Sequence, residues 1–399
     1  MFTEVDAVEP AVTAVFAAVL TGGPISRVTL ARHLGISSGA VTKAARPLIE
    51  MGYLSELAAT ERTGPGAGRP ASPLTIRADR EFFVGVKIAG DELIGVVCDL
   101  RAQIHAWTHR RLFETSVDHV LTQLAELVGE LLDGAGGYRS RTRRLGLAVS
   151  GDVDPATGLV RYSPFLRWHD VPLRERAEEI TGLTVTVEND VKALTVAEHW
   201  FGEGVGAESF ALVTVGAGIG CGLVVGGRLV SGARGVAGEI GHISVDVNGP
   251  ECHCGSSGCV EAIAGTDAIV RQAREATGRS ELTFDDAVAL ARAGDDASGA
   301  VSVQAAAVRA VFARAGEAIG SGIAAVANLV GPSRIVVASE SSEVPGLMEA
   351  HLRRGFQRQA FGAAADCALS IRPLPYTEWA RGAASVSIKA LVTSRLISA

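Results

Sequence analysis

The chain has 399 residues, of which 47% are hydrophobic and 5% aromatic, and its formal net charge at pH 7 is −7. This length exceeds what one ordinary core holds, so we expect two or three domains. No uninterrupted apolar run reaches the roughly eighteen residues of a membrane helix. The start MFTEVDAVEP lacks the features of a signal peptide, so we expect a cytoplasmic protein. The acidic balance argues against a general affinity for nucleic acid.

The N-terminal part of the chain is basic, whereas the remainder is acidic. Residues 25–77 contain seven basic and three acidic side chains, a local charge of +4 that leaves −11 for the remainder. A basic head on an acidic body indicates that the head alone meets DNA.

The pattern of this basic head predicts a helix-turn-helix. After a first helix over residues 11–20, Ser26 and Ser37 are placed to cap two short helices, and Gly35 forms the tight turn between them. Pro47 is expected to bend the last helix or to end its regular part. The outward face of that helix would enter the major groove through four residues, Ser38, Thr42, Lys43 and Arg46.

Two short strands joined by a Gly/Pro-rich loop follow the helices and predict a β-hairpin wing. In this loop Gly68-Arg69-Pro70 gives an extended backbone with one arginine, Arg69, a shape that fits a narrow minor groove. The alternative is a small protein-interaction module with a flexible linker. Helices, wing and positive charge agree, which favours DNA binding.

From Glu81 onward the pattern changes to strands. FFVGVKIAG, DELIGVVCDL and AQIHAWTHRRL predict three strands, followed by a helix over residues 116–132. Much later FALVTVGAG, IGCGLVVGG and RLVSGA repeat the same order of strands and turns. The repetition indicates a duplicated lobe in which each Gly-rich turn could approach a phosphate.

The other elements complete the two lobes. RRLGLAVSG and TVTVEND predict buried strands, and Asp190 is predicted to cap the helix VKALTVAEHWFG. Residues 264–327 are predicted to be mostly helical, and RIVVAS and CALSIRPL to be strands. A final helix over residues 385–396 is expected to pack on the first lobe.

Four potential soft-metal ligands lie within eighteen residues: His242, Cys252, Cys254 and Cys259. Gly255 and Gly258 let the backbone double back so that the last cysteine can join the others. One imidazole and three thiolates suit a closed tetrahedral site for structural Zn²⁺. Disulfides are the alternative, but they require an oxidising compartment. The remaining cysteines lie in apolar runs and are predicted to be inert core residues: Cys98, Cys221 and Cys367.

The long segment VTVGAGIGCGLVVGGRLVSGARGVAGEIGHISVDVNGPECHCGSSGCVEAIAG, together with GDVDPATGLV and VENDVKAL, resembles the ROK family, and in particular its transcriptional regulators. The resemblance covers almost the whole chain. It implies an α/β, actin-like or hexokinase-like (ribonuclease H-like) fold of two lobes with a sugar cleft between them. It also implies a structural zinc on the four ligands, and homodimers or homotetramers. We expect a winged helix-turn-helix domain over residues 1–79, a first lobe over 80–195 with 380–399, and a second lobe over 196–379.

The resemblance also implies which residues hold a sugar. The positions used by family kinases correspond here to Asn189, Asp190, Glu239, His242 and Glu261, and the Asp is the base that takes the hydroxyl proton. Carboxylates and amides are well suited to sugar hydroxyls. The alternative is that Asp190 is only a helix cap and Glu261 a solvated side chain. Many family members carry Asn where this chain has Phe165, which leaves the identity of the sugar open.

The resemblance breaks down at the ATP site. Family kinases have Asp-x-Gly-Gly-Thr in the first phosphate loop, where this chain has Lys87-Ile88-Ala89-Gly90-Asp91. Ala338-Ser339 replaces the expected nucleotide-side Gly-Gly, whereas the second phosphate loop, residues 216–220, is retained. We therefore predict a sugar-responsive regulator, most simply a repressor that binds operator DNA, without enzyme activity. The alternatives are an active ATP-dependent sugar kinase with a DNA-binding domain and an effector-independent DNA-binding protein.

Overall fold

The computed structural model describes residues 8–58, 72–293 and 303–393. The chain forms two compact units, the first comprising residues 1–206 and 377–399 and the second residues 207–376. The basic head belongs to the first unit. The boundary expected at residue 196 falls inside a helix, α6 (Asp190–Phe201), and the first unit continues past it to Gly206.

Three helices form the head: α1 (Val8–Gly22), α2 (Arg27–Leu34) and α3 (Ser38–Glu50). The predicted caps are present, since the Ser26 hydroxyl accepts from an amide of α2 and the Ser37 hydroxyl from an amide of α3. Gly35 has a φ of 66°, the left-handed conformation that favours glycine.

Of the two effects expected of Pro47, a bend or an end to the regular part of α3, the second is wrong. The helix continues to Glu50, and the Met51 amide donates to the Pro47 carbonyl at 2.9 Å. Proline removes one amide donor from the ladder, but Ala44 and Leu48 on either side are buried in the core and hold the helix in place.

The predicted wing is represented by two antiparallel strands, β1 (Leu54–Glu56) and β2 (Leu74–Ile76). Leu54 pairs with Ile76, and both side chains are buried in the head. The loop that joins the strands, including Arg69, lies outside the described residues.

A five-stranded sheet and its helices form the body of the first unit. Its strands are β3 (Phe82–Ile88), β4 (Glu92–Cys98), β5 (Ile104–Arg111), β6 (Thr142–Val149) and β10 (Thr184–Asn189). Helices α4 (Val117–Asp133) and α5 (Leu173–Thr181) accompany it, as does a small sheet of β7 (Asp152–Asp154), β8 (Leu159–Ser163) and β9 (Trp168–Pro172).

The second unit contains a sheet of β11 (Phe210–Val215), β12 (Ile219–Val225), β13 (Arg228–Leu229), β14 (Arg334–Ser339) and β15 (Ala368–Pro373). Both five-stranded sheets have the same topology. When the strands of each sheet are numbered in chain order, their order across the sheet is 3-2-1-4-5. Strands 1, 2 and 3 are antiparallel to their neighbours among these three, and strands 1, 4 and 5 are parallel. The shared topology agrees with the duplicated lobe that the repeated pattern predicted. The segment RLVSGA contributes a strand of only two residues.

The last helix, α12 (Thr377–Thr393), begins eight residues earlier than predicted and packs on the first sheet. Two glycines of this sheet make the close approach possible. A Cβ on Gly85 would lie 2.1 Å from the Ala380 carbonyl oxygen, and one on Gly146 would lie 1.8 Å from the Ala383 carbonyl oxygen. The helix lies so close to the sheet that a side chain at either position would clash with its backbone.

Helix α12 also joins the body of the first unit to the head. The buried residues Ala384, Ile388 and Val392 lie in one hydrophobic cluster with Phe16 of α1 and Leu48 of α3. Because this core is continuous, the head and the body of the first unit are not separated by a solvated linker.

Helices cover the second sheet: α7 (Val260–Ala264), α8 (Thr266–Thr277), α9 (Phe284–Arg292), α10 (Val303–Val330) and α11 (Val344–Gln359). Among the described residues, α10 alone is long and apolar enough to cross a membrane by length and composition. Of its most apolar window, 72% is buried within the protein. Its apolarity is that of a core helix, with Val308, Phe312 and Ile319 packed into the centre of the unit.

Candidate functional site

Helix α3 presents a polar face to solvent. The four predicted contact residues are all exposed: Ser38, Thr42, Lys43 and Arg46. The Thr42 hydroxyl donates to the Ser38 carbonyl, and the Arg46 guanidinium pairs with Glu50 at 2.7 Å. This surface ion pair is exposed and screened, so the guanidinium remains accessible to another anion.

The carboxyl ends of three parallel strands bring Lys87, Ser150 and Asp190 together in the first unit. Strand β3 pairs with β6 and β6 with β10, so residues at the ends of these strands lie side by side. The Lys87 ammonium donates to Asp190 Oδ2 and, at 2.9 Å, to Ser150 Oγ. Ser150 Oγ donates to the same carboxylate oxygen. Lys87 and Asp190 are only 7% exposed, so they form a buried ion pair.

The surroundings keep the Asp190 carboxylate ionised. Burial acts to raise its pKa, but the Lys87 ammonium, the Ser150 hydroxyl and the Val191 amide act against burial, and the pKa is lowered from its ordinary value. The Lys87 ammonium also lies 5.3 Å from the centroid of the Trp379 ring in α12. Asp190 therefore holds an internal cation at the position where a family kinase has its base.

The expectation that Asp190 caps its helix is wrong, because Asn189 is the N-cap of α6. Its Oδ1 accepts from the Lys192 amide at 3.2 Å, and its Nδ2 donates to the Gly151 carbonyl at 3.0 Å. Asn is a better N-cap in this position because its short amide satisfies a helix donor and a loop acceptor together. One Nδ2 hydrogen and one Oδ1 lone pair remain for a ligand.

The predicted metal ligands converge in the second unit. One donor atom from each of His242, Cys252, Cys254 and Cys259 lies within 4.8 Å of the others. Tetrahedral Zn²⁺ with ordinary bond lengths separates two thiolates by about 3.8 Å and a thiolate from an imidazole nitrogen by about 3.6 Å. The observed distances are 3.7 Å for Cys254 Sγ to Cys259 Sγ and 3.6 Å for Cys252 Sγ to His242 Nδ1. The donor set and its spacing fit a tetrahedral metal ion.

The glycines behave as the sequence predicted. Gly255 has a φ of 90° and Gly258 a φ of 65°, and a Cβ on Gly258 would lie 1.6 Å from the Asp246 carbonyl oxygen. The turn can close only with glycine at that position.

Of the cysteines outside the cluster, Cys98 and Cys221 are buried as expected. The prediction of a core position is wrong for Cys367, which is partly exposed. It lies just before β15, so it is at the rim of the sheet and not inside it; its thiol donates to the Pro332 carbonyl at 3.1 Å.

The remaining sugar-binding candidates lie around this metal cluster. Glu261 follows the last cysteine, and its carboxylate accepts from the Ile219 amide at 2.9 Å and pairs with His253 Nδ1 at 3.4 Å. His242, His253 and Glu261 form a second group whose donor atoms lie within 4.8 Å of one another. Glu239 is exposed, just before the short 3₁₀ turn that contains His242. Asn189 and Asp190 belong to the first unit, whereas Glu239, His242 and Glu261 belong to the second.

The retained second phosphate loop is in contact with an acidic side chain. Glu340, directly after β14, presents its carboxylate to the Ala217 amide at 3.3 Å. A Cβ on Gly216 would lie 1.9 Å from Glu340 Oε2. The adjacent Ser339 is 2% exposed, and its hydroxyl has no hydrogen-bond partner among the described residues.

The first loop also departs from a phosphate cradle. Asp91 is exposed at the turn between β3 and β4, and the turn is closed by the Ala89 amide, which donates to the Glu92 carbonyl. Gly90 lies against the backbone of Phe165: a Cβ on it would be 3.3 Å from the Phe165 carbonyl oxygen. The Phe165 side chain is 54% exposed, which leaves its ring accessible.

Sequence reasoning missed three residues that contact the predicted site residues or the second phosphate loop: Ser150, His253 and Glu340. Ser150 could have been found, because it lies at the carboxyl end of the predicted buried strand RRLGLAVSG, and ligand groups gather at such ends in α/β sheets. Glu340 directly follows RIVVAS and could have been found by the same rule. His253 carried no signal, since its pairing with Glu261 depends on the path of the loop.

Comparisons with known proteins agree with this architecture. The family model described as the ROK family matches residues 83–388. The chain is 30% identical over 350 residues to the DNA-binding transcriptional dual regulator NagC of Escherichia coli K12, covering 86% of this chain and 83% of that protein. A crystal structure of a ROK family transcriptional regulator, a homologue of the E. coli MLC protein, superposes with a TM-score of 0.79 at 24% identity and covers 98% of each chain.

A kinase of known structure is also similar. The ROK family glucokinase from Streptomyces griseus, solved in complex with glucose and AMPPNP, superposes with a TM-score of 0.63 at 26% identity and covers 77% of this chain and 99% of its own. The match to that kinase leaves about a quarter of this chain uncovered, whereas the regulators match most of it. On the family match and the similarity to NagC, this chain belongs to the ROK family.

Proposed function

We propose that this protein is a sugar-responsive transcriptional repressor whose N-terminal head is a winged helix-turn-helix. The observation that carries the proposal is the core in which α12 joins the head to a ROK body. The polar face of α3 would contact base edges in the major groove, and Arg69 in the wing would reach the minor groove. NagC, to which the chain is similar over most of its length, is named a DNA-binding regulator.

The effector in this proposal is a small sugar or sugar derivative. Asn189 and Asp190 of the first unit and Glu239, His242 and Glu261 of the second would hold its hydroxyls. The cluster of His242 and the three cysteines would bind Zn²⁺, which would fix the loop that carries His242 and Glu261. No step of the response requires the metal to react, since a closed site of this kind is structural.

The ion pair of Lys87 with Asp190 supports the loss of kinase activity. A general base needs a lone pair that faces the substrate and a pKa near the working pH. Here Lys87 and Ser150 both donate to one oxygen of Asp190 and the Val191 amide donates to the other, while the pKa of this carboxylate is lowered. The carboxylate would accept a bond from a sugar hydroxyl but would be a weak acceptor of its proton.

A contact path within the first unit supports coupling between effector and head. Asp190 is the first residue of α6, and at the other end of this helix Trp200 and Phe201 pack against the core that contains the head. Along its length α6 packs closely on α12, because a Cβ on Gly382 would lie 2.9 Å from the Leu194 amide nitrogen. A sugar would bias this arrangement only through different affinities for the DNA-binding and released states.

The test is an operator-release experiment on the full-length protein. Genomic fragments are selected for binding, and the selected site is titrated by fluorescence anisotropy with hexoses, pentoses, N-acetylhexosamines and their phosphates. We expect specific binding of one palindromic site and its release by one sugar class, as a homodimer or homotetramer would show. Absence of specific DNA binding would refute the proposal.

The kinase alternative is tested in the same preparation by coupled ADP release with Mg·ATP and the same sugars. We expect no turnover above the background of the Asp190→Asn variant. Turnover at ordinary kinase rates of about 1–100 per second would identify an enzyme instead.

A further inference from the structure

The three thiols of the metal cluster differ in their access to solvent. Cys252 is 8% exposed and Cys259 is fully buried, whereas Cys254 is exposed. Cys254 lies within residues 253–257, all of which are exposed, and the three residues that follow it are a glycine and two serines with little side-chain bulk. A small solute can therefore reach the sulfur of Cys254 far more easily than the other two sulfurs.

A second thiol lies beside the exposed one. Cys254 Sγ is 3.7 Å from Cys259 Sγ, whereas Cys252 Sγ lies 3.6 Å from His242 Nδ1. A disulfide has a sulfur–sulfur distance of about 2.05 Å, so the first pair would have to approach by about 1.7 Å. Two of the four residues between these cysteines are glycines, which lets so short a segment adjust its backbone. Cys259 is therefore placed to react with an oxidised Cys254.

Metal ligation determines the chemical form of these sulfurs. A cysteine that binds a metal is a thiolate, and the thiolate is the form that reacts with oxidants. An accessible thiolate next to a second cysteine that can form a disulfide with it is the arrangement found in cysteines that respond to peroxide. A cluster that only braced its loop would not require one of its sulfurs to be open to solvent.

We infer that the metal cluster is a peroxide-sensitive site in which Cys254 is oxidised first and Cys259 then forms a disulfide with it, so that the metal is lost. The inference goes beyond the proposed function, although it rests on the proposed binding of zinc by the cluster. In that function oxidation would also free the loop that carries His242 and Glu261.

The reaction consumes one hydrogen peroxide per cluster. The Cys254 thiolate attacks one peroxide oxygen and the O–O bond breaks, which leaves a sulfenic acid on Cys254 and a hydroxide that takes up a proton. The Cys259 thiolate then attacks the Cys254 sulfur; the S–S bond forms as the S–O bond breaks, and the second hydroxide leaves and is protonated to water. The two sulfurs together lose two electrons, and the peroxide gains them. His242 and Cys252 remain as donors, which are too few for a closed structural site.

The experiment exposes the reduced full-length protein to hydrogen peroxide at about 1 mM, in excess over the protein. A chromogenic chelator reports released zinc, with peroxide-free protein as the reference, and free thiols are alkylated before proteolysis and mass spectrometry. We expect release of about one zinc per chain, together with a peptide in which Cys254 is linked to Cys259. Reduction with a dithiol in the presence of zinc should restore the metal.

Two variants locate the reactive sulfur. Cys254→His removes the exposed thiol but supplies a fourth donor, since two cysteines and two histidines also bind zinc. It should keep its zinc and release it at least about tenfold more slowly under peroxide. Cys367→Ser is the matched control, because Cys367 is also partly exposed and lies outside the cluster. It should release zinc at a rate within about twofold of the unaltered protein.

Three results would overturn the inference: a disulfide between Cys252 and Cys254, full retention of zinc after peroxide treatment, or equal release rates from Cys254→His and the unaltered protein. A protein that binds no zinc before oxidation would refute the proposed metal site instead. The peptide map of the unaltered protein would still show whether Cys254 and Cys259 form the disulfide.

Discussion

The two halves of the duplicated fold share one sheet topology, yet side chains of opposite charge lie near the first turn of each sheet. In the first unit, the strand that precedes the turn carries Lys87, whose ammonium pairs with Asp190. In the second unit, the turn at Gly216 keeps its glycines, and the carboxylate of Glu340 contacts its backbone. In the first unit a cation, Lys87, lies beside Asp190, and in the second unit an anion, Glu340, lies beside the turn at Gly216.

The difference teaches that two sheets of one topology can hold internal contacts of opposite charge near their first turns. Both sheets keep identical topology, and both internal contacts satisfy groups that would otherwise need a ligand. Lys87 and Asp190 are buried, so their charges must be paired, whereas Glu340 is exposed to solvent. The two halves should therefore respond differently when their internal partners are removed.

The largest effect is expected in the second unit, at the metal cluster. Cys254 is exposed, so its replacement by serine removes little packing, but it leaves three donors for the metal. We expect Cys254→Ser to reduce bound zinc from about one to below about 0.2 per chain and to lower the unfolding temperature of the second unit by at least about 8 °C. Metal analysis and calorimetry measure the two quantities.

Cys367→Ser is the control for this substitution, because Cys367 is also partly exposed and lies outside the cluster. It should retain its zinc and shift the unfolding temperature little. If Cys254→Ser keeps a full complement of zinc, the assignment of the four ligands is wrong.

In the first unit, Lys87→Met is expected to have the next largest effect. It leaves the Asp190 carboxylate buried without its cation, and removal of one partner of a buried pair costs about 3–5 kcal/mol. Urea unfolding at pH 7 measures the loss. The double variant Lys87→Met/Asp190→Asn should recover more than half of it, since the unpaired charge is gone.

The pKa of Asp190 determines whether the stability loss in Lys87→Met grows or shrinks with pH. The pKa of Asp190 is lowered in the folded protein, so the pair stabilises the fold above the carboxylate's unfolded pKa and loses this contribution as pH falls through the folded value. In Lys87→Met, burial raises the pKa of Asp190 instead. The loss in free energy of unfolding relative to the unaltered protein should therefore become smaller as the pH falls from 7 to 5. A loss that grows on acidification would contradict the ion-pair account.

Much of the fold and the metal cluster could be predicted from sequence because their signals are local. Alternation of apolar residues, capping serines and the spacing of Cys252, Cys254 and Cys259 all act within a few residues. The exchange at Lys87 was also visible as a departure from the family motif. Its consequence was not, because the contact with Asp190 joins residues 103 positions apart.

The errors have the same origin. Pro47 has a strong local tendency to end a helix, but the buried residues beside it hold α3 in the core. Asp is a favoured N-cap residue, but the Asp190 side chain pairs with Lys87, which is distant in sequence, and Asn189 is the N-cap. The start of α12 was missed because its first turns contain Trp379, which is buried beside Lys87 of the sheet, and Arg381, which pairs with Glu198 of α6.

A smaller effect is expected on operator binding, and it distinguishes the head from the sugar-binding residues. Arg46→Ala should weaken binding to the selected operator roughly tenfold, because a guanidinium that reads a base edge contributes about this much. Sugar affinity should not change. Arg139→Ala, which removes an exposed arginine paired with Asp133 in the body, is the control and should leave operator binding within twofold. Equal operator affinity of Arg46→Ala and the unaltered protein would exclude Arg46 from the interface.

The smallest effect tests whether the head shares its stability with α12. Ile388 is fully buried in the cluster that contains the head, and Ile388→Val should cost about 1 kcal/mol. Ile88→Val removes the same methylene from a position 1% exposed in a different hydrophobic cluster of the unit. Both should lower the free energy of unfolding similarly, but Ile388→Val alone should speed amide exchange in α1. If exchange in α1 is the same in both variants, the head is stabilised independently of α12, and the contact path from Asp190 through α6 does not reach it.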